Sequence, residues 1–574
     1  MLCSGCGSGL SDIDRRVDRV LAERSGALGG GAVSPARQWT EPQLPSHREL
    51  SNREPGSTNP GAESLSFVAA DEGRDFAKRL NDLQTENEGL DDPNRRVLDL
   101  PACWREAQVS AREYLSAEED YILAGIRLLT ERHRWSPRLF AGTGVEFESS
   151  QEGPPVTNTL RLLNEAGVRQ RLPYGGQVEA RWVWEASENL RTSATGQYTD
   201  SSSLVLSGNV PLLRDAGLSA QESRIQAERD LVYAARDFET FRRQFLVNLA
   251  RDYFSLLQQR DNIVSSANQV ESLRKIRDRQ QALYESGRVA KFEVNLAASD
   301  VLNAEASLAN ARETYLLSLD RFRVRLGLPD TVRLGIEPTE FMLPEPDVSM
   351  DQAVTLALDY RLDLQNQRDR LDDSKRNVKI AANRLLPDLN ATASASMPTS
   401  GEDRDFSEAV YRAGLRLDLP LDREEERLGL RQSTIALERA QRDFEKFRDD
   451  LIIAVRAQVR EIERARFNLK LAEDRVAINE RRAEEQIIKA DEVEAQAQVD
   501  TANALADARR ARDQAKADLR NAVLDYLVQT GTMRFRRDGT FEPLPGMTTA
   551  PKPALPPDAP VDTPQLPADP DPVP

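Results

Sequence analysis

The chain has 574 residues, 94 acidic against 77 basic side chains and a formal net charge of −17, with two histidines, His47 and His133, and three cysteines. These counts exclude a multi-histidine metal centre and a disulfide framework, and the acidic balance argues against a nucleic-acid groove. Charged residues at 30% and aromatic residues at 6% suit long solvated helices better than a thick globular core.

The chain opens MLCSGCGSGL, and Cys3-Ser4-Gly5-Cys6 resembles the end of a bacterial lipoprotein signal, in which small residues precede a lipidated cysteine. On that reading Cys6 is the first mature residue; the alternative is two ordinary thiols near a terminus. A short helix is expected over 11–24. Residues 25–65 are rich in Gly, Ser and Pro and read as a linker, so that 1–100 forms an N-terminal segment. The most apolar stretch, Leu451-Ile452-Ile453-Ala454-Val455, falls far short of the roughly 20 residues of a bilayer-crossing helix. A barrel strand needs only about 10 residues of alternating pattern, so a barrel stays open.

Between the ends the chain repeats itself. Residues 236–242 read RDFETFR and 442–448 read RDFEKFR, an offset of 206. Phe238, Phe241, Phe245, Leu249, Tyr253 and Leu256 recur at the spacing of one helix face. Adding 206 gives Phe444, Phe447, Leu451, Val455, Val459 and Ile462, all apolar. Two copies of one unit therefore organise the chain. The first covers 101–329 and the second 350–531, with a linker at 330–349 between them. A tail at 532–574, with 12 prolines after residue 542, cannot form helix or central strand.

Each copy predicts a flanking helix (101–135, 350–386), a strand pair, a long helix (219–285, 425–490) and a closing helix (292–327, 496–530). The long helix spans about 100 Å at 1.5 Å per residue, and the shorter ones each about 54 Å. Two short helices stacked end to end therefore match one long one, and helices of that length build a rod or the wall of a tube. Strands are read from period-two alternation: Leu389, Ala391, Ala393, Ala395 and Met397 against Asn390, Thr392, Ser394 and Ser396, and again over 411–419. In the first copy the segments around Val145 and Leu206 alternate similarly, but between them lies an insert, 149–201. There Tyr174-Gly175-Gly176 reads as a hairpin turn. Trp182 and Trp184 fit either a membrane interface or the core of a subdomain. Gly287 breaks the first long helix, since glycine permits a left-handed stop. The second copy lacks a glycine there, and only the repeat argues for a turn near 491.

Taken in order, these features resemble a TolC-type outer-membrane efflux protein. The resemblance rests on Leu386-Pro387-Asp388-Leu389, on Val210-Pro211-Leu212-Leu213 and on Ala357-Leu358-Asp359-Tyr360-Arg361-Leu362-Asp363-Leu364. It rests too on Gly287 and Phe292 followed by Val294, Ala297 and Ala298, and on Leu326-Gly327-Leu328-Pro329. It implies a mainly α protein with a small β part: duplicated antiparallel helical hairpins form a periplasmic tunnel, and four strands per chain enter a trimeric 12-stranded barrel in the outer membrane of a Gram-negative-type bacterium. It also implies a homotrimer that works with a periplasmic adaptor (a membrane fusion protein) and an inner-membrane transporter, in a tripartite efflux pump or a type I secretion system. The matching tip residues Ser286, Gly287, Arg288 and Phe292 are then candidates for adaptor contact.

A conduit needs no covalent chemistry, so no catalytic, cofactor-binding or metal-binding residues are expected. Acidic side chains at a narrow tip favour cations, and Glu293, Asp300, Asp491, Glu492, Glu494 and Asp500 are candidates for an acidic ring; the alternative is a plain solvated face. Two other classes compete. A periplasmic coiled-coil scaffold without a pore would not need equivalent strand pairs in each repeat. An enzyme would need a nucleophile elbow, phosphate loop or ligand cluster, none of which is present.

Overall fold

A computed structural model describes residues 10–27, 96–150, 157–189, 199–337, 349–399, 409–488 and 495–535. The Cys6 assignment, most of the linker and the proline-rich tail beyond residue 535 fall outside these. The elements run α1 (Leu10–Ala27), β1 (Arg96–Leu98), α2 (Leu100–Ser110), α3 (Arg112–Arg134), β2 (Arg138–Ser150), β3 (Thr157–Arg171), β4 (Gln177–Asn189), β5 (Thr199–Pro211), α4 (Leu218–Glu285) and α5 (Lys291–Leu326). They continue with β6 (Leu334–Ile336), α6 (Met350–Tyr360), α7 (Leu362–Asn383), β7 (Asp388–Thr399), β8 (Val410–Asp418), α8 (Glu424–Ile488) and α9 (Ala495–Gln529).

The duplication is visible in burial. Phe238, Phe245, Leu249, Tyr253 and Leu256 of α4 and Leu451, Val455 and Ile462 of α8 lie in one hydrophobic core, with Phe241, Phe444, Phe447 and Val459 packed against it. α4 has 68 residues and α8 has 65, so each is about 100 Å long. In the first repeat α5 returns beside α4. In the second, Gln458 Nε2 donates to Ala522 O and Arg509 pairs with Glu480, which sets α8 and α9 antiparallel. That pairing agrees with the repeat; residues 489–494 between the two helices lie outside the described residues.

The flanking helices differ from expectation. Neither 101–135 nor 350–386 is continuous: α2 gives way to α3 at Ala111 (φ −69°, ψ 123°), and α6 to α7 at Arg361 (φ −74°, ψ 118°). The cause is tertiary. The closing glycine of each hairpin is driven into the break of its own repeat, Gly327 (φ +78°) against Ser110 O and Ala111 N, and Gly531 (φ +67°) against Tyr360 O and Arg361 N. The stacked short helices are α5 on α3 and α9 on α7, joined at these glycines.

Around this joint sits part of the main hydrophobic core. Trp104 Nε1 donates to Leu246 O at 3.0 Å, and its ring meets Phe535 edge-on at 4.8 Å. Met533 and Phe535 are fully buried, so the chain remains in the core for the first residues of the segment expected as tail. Two three-residue strands, β1 and β6, pair in parallel beside the joint, placing β6 within the expected linker. α1 packs on α3 through Val17 and Leu21, which lie against Gly125.

The second sheet has six strands in the order β2-β3-β4-β5-β7-β8, every neighbour antiparallel. The resemblance implies four. β2, β5, β7 and β8 match the expected alternating segments, and the insert supplies β3 and β4 between β2 and β5. No helix among the described residues is long and apolar enough to cross a membrane.

Candidate functional site

A conduit's working parts are its wall and its ends. The sheet's two faces follow from strict alternation in register. Val145 of β2 pairs with Leu162 of β3, Ala166 with Trp182 of β4, Trp182 with Leu204 of β5, Leu206 with Ala395 of β7, and Ala391 with Leu415 of β8. Directly opposed residues share a face, so these make one continuous apolar face. Toward its edges its large side chains are bare: Leu139 is 75% exposed, Val145 71%, Tyr411 73% and Leu415 72%. Large exposed apolar side chains on such a face mark a surface made for a non-aqueous neighbour. Trp182 and Trp184 belong to this face, and Trp182 Nε1 donates to Ser202 Oγ at 2.7 Å.

The opposite face is polar and charged. Arg161 pairs with Glu185 at 3.0 Å, Arg169 with Glu179 at 2.6 Å, and Arg181 with Glu165 at 3.4 Å. An arginine facing lipid at mid-membrane costs about 2–4 kcal/mol, so this face belongs to water. Phe140, on the same face, lies over Gly167 and beneath the Arg169 guanidinium. Sequence reading missed this lattice. Its signal was present in charges at every second or fourth position, out of phase with the apolar set.

The far end of the first hairpin is a helix stop of defined geometry. Gly287 takes φ +75°. Arg288 N donates to Leu283 O at 2.9 Å and Gly287 N to Tyr284 O at 2.8 Å, the paired bonds of a Schellman ending. Ser286 Oγ donates to Leu283 O. Ser286, Gly287 and Arg288 are exposed, and Phe292 stands 67% exposed where α5 begins. The structure thus presents all four predicted contact residues at one bare tip.

Of the predicted acidic residues, Asp300 and Asp500 are brought together. Val301 and Val499 share a small core with Val270, Leu273 and Ala304, which binds α5, α4 and α9 just there. Burial, then the charge of Asp500, holds the Asp300 carboxyl above its ordinary value. Glu293 lies two turns nearer the tip on α5, half-buried. Asp491, Glu492 and Glu494 lie outside the described residues. Sequence reading also missed a polar zipper between the hairpins, from α4 to α9. Gln269 Nε2 donates to Asn503 Oδ1 at 2.7 Å, Arg510 Nη1 donates to Gln269 Oε1 at 3.3 Å, Gln258 bonds Gln514, and Arg251 pairs with Asp525.

Residues 353–529 match the family described as outer membrane efflux protein. No curated protein matches the chain. Among solved structures the chain is similar to the CmeC outer membrane channel of Campylobacter jejuni, at 15% identity and a TM-score of 0.58 over 79% of this chain and 88% of that one. It is similar to the outer membrane protein VceC of Vibrio cholerae at 15% identity and 0.56, over 75% and 96%. It is similar also to the open MtrE outer membrane channel of Neisseria gonorrhoeae at 12% identity and 0.52, over 75% and 88%. Residues 353–529 thus match the outer membrane efflux protein model, and the described chain has the fold of these outer membrane channels.

Proposed function

We propose that the chain is one protomer of an outer-membrane exit duct. Three copies form a barrel in the outer membrane and a helical tunnel in the periplasm, a passive conduit for substrates handed over by an adaptor and an inner-membrane transporter. The observation that carries this is the sheet: one face is mainly apolar with large side chains exposed on it, the other polar and charged, and β2 and β8 are unpaired at its edges among the described residues. An open edge in lipid leaves a row of unsatisfied backbone groups, so the sheet must close on other copies. The second repeat adds support, since Ile453 (63%), Phe467 (62%) and Ile478 (63%) of α8 are exposed, apolar surface that a neighbouring copy would cover. The scaffold reading leaves the apolar sheet face without a purpose. Membrane fractionation followed by mass measurement in detergent tests the choice. The duct requires an outer-membrane species of three 64.2 kDa chains; a chain that stays monomeric in water without detergent is a scaffold or something else.

The tip carries two finer proposals. Ser286, Gly287, Arg288 and Phe292 form the adaptor contact. Arg288→Glu combined with Phe292→Ala is expected to abolish export by the intact pump while assembled duct in the membrane stays at its normal level. Export at the wild-type rate would remove the tip from that contact.

Asp300 and Asp500 contribute to an acidic constriction. Because the folded value of Asp300 is raised, its charged form is the one the fold disfavours. The penalty is absent below the ordinary carboxylate value and fully present above the raised one. Acidification through that window therefore tightens α5 on α9, and conductance should fall as pH drops through it. Asp300→Asn should flatten this dependence and weaken cation preference, whereas a single-channel record indistinguishable from wild type would exclude the ring. Lipidation of Cys6 is read out separately, by the mass of the mature N-terminal peptide.

A further inference from the structure

We propose that the β3–β4 hairpin is barrel wall, and that three copies close, β8 of one against β2 of the next, into an eighteen-stranded barrel wider than the family resemblance implies. The inference rests on the duct reading above and concerns only what its outer part looks like.

Four observations carry it. First, β2 and β5 do not pair; the hairpin lies between them in unbroken register, from Arg138 opposite Arg169 through Arg171 opposite Gln177 to Gln177 opposite Asn209. A hairpin folded away as a subdomain would leave β2 without a neighbour on that side. Second, β2, β3, β4 and β5 have 13, 15, 13 and 13 residues, each at least as long as the roughly 9–11 that cross a bilayer when tilted. Third, the apolar face continues through the hairpin by Leu162, Ala166, Ala180 and Trp182, while its other face carries the Arg–Glu lattice. Those faces fit lipid on one side and water on the other, as in the strands around them. Fourth, the hairpin turn is fastened at the helical pole. Gly217 N donates to Tyr174 O at 2.7 Å and Gln221 Nε2 to Pro173 O at 2.9 Å. A Cβ at Gly176 (φ +80°) would lie 1.9 Å from Asn209 O, so the turn is pressed against β5 at the membrane's inner edge.

The occupant of both open edges is a second copy of this chain. With the helical poles level, Asp418 at the end of β8 comes beside Arg138 at the start of the neighbour's β2, both on the polar face, and Arg412 comes near Glu146. Strands about 4.8 Å apart and tilted about 40° give a backbone diameter of about 36 Å for eighteen strands and about 24 Å for twelve. The consequence for function is a wide outer mouth lined in its added part by both signs of charge, four arginines and three glutamates per chain. Such a mouth neither sizes nor charge-selects cargo, which leaves both tasks to the helical tunnel.

End-on imaging of the full chain in detergent tests this. A threefold particle with eighteen strands is the expected result. A threefold particle with twelve strands and the hairpin off the wall overturns the inference and leaves the duct reading standing; a twofold particle that makes twelve strands from two copies overturns the inference and the three-copy duct together. A particle with no barrel overturns both. Cysteine labelling in liposomes gives an answer independent of imaging, with the wild-type chain as baseline. A membrane-impermeant maleimide should label Arg161→Cys and Glu165→Cys at least tenfold faster than Leu162→Cys and Ala166→Cys. Equal labelling of the two sets means that both faces of the hairpin meet water, and overturns the inference.

Discussion

Gly327→Ala is expected to prevent the chain from reaching its assembled form. The added Cβ would lie 1.9 Å from Ser110 O and 2.4 Å from Ser110 C, against backbone that cannot rotate away. The residue also holds φ +78°, which costs an L-residue about 1–2 kcal/mol by itself. With displacement of the α2–α3 break added, the loss should reach about 4 kcal/mol, at the upper end for single substitutions. Gly287→Ala makes an internal control. It has the same kind of φ, +75°, but nothing within 4 Å of the added carbon, so only the conformational cost of about 1–2 kcal/mol applies. The midpoint of the thermal loss of helical circular dichroism should drop steeply for the first variant and slightly for the second. Similar curves for both would mean that the joint is not the rigid point described.

The second large effect is expected at Glu239. This carboxylate is 2% exposed and pairs with Arg242 at 2.9 Å and with Arg243 at 2.8 Å. The two guanidiniums reach on to Phe535 O and Gly531 O, so the cluster ties α4 to the end of the second hairpin. Burial pushes Arg243 below its ordinary value, and the Glu239 charge counters that. Glu239→Gln leaves two buried cations without this counter-charge, a change that typically costs about 3–5 kcal/mol. The exposed pair Lys446–Asp450 is a suitable contrast, because solvent screens it and Asp450→Asn should leave the melting curve unchanged. Equal effects from the two substitutions would contradict the burial that the argument relies on.

How much of this was legible in the sequence differs by feature. The long helices were, because a face repeated at 206-residue offset from Phe238 to Leu256 leaves little choice of period. The tip was, because Gly287 needs a left-handed backbone. The breaks at Ala111 and Arg361 were not: neither residue resists helix, and each break is made by a glycine more than 150 residues away. The six-strand sheet was half legible. Alternation found β2, β5, β7 and β8 and the Tyr174-Gly175-Gly176 turn, but alternation cannot say whether a hairpin joins a wall or leaves it. Register does, because β3 pairs along its length with β2, Arg138 opposite Arg169, and β4 with β5, Gln177 opposite Asn209. β1 and β6, three residues each, carry too short a pattern to be read at all. The zipper between α4 and α9 left no local trace, since Gln269 and Asn503 look like any solvated helix residues until the hairpins are packed.

The reading of the chain as an open duct is tested most directly by adding the purified full-length protein to a planar lipid bilayer. Current should rise in discrete steps of uniform size, each the insertion of one assembled particle, and should be absent for Gly327→Ala. A wild-type preparation of intact particles that inserts and conducts nothing at any voltage would contradict it.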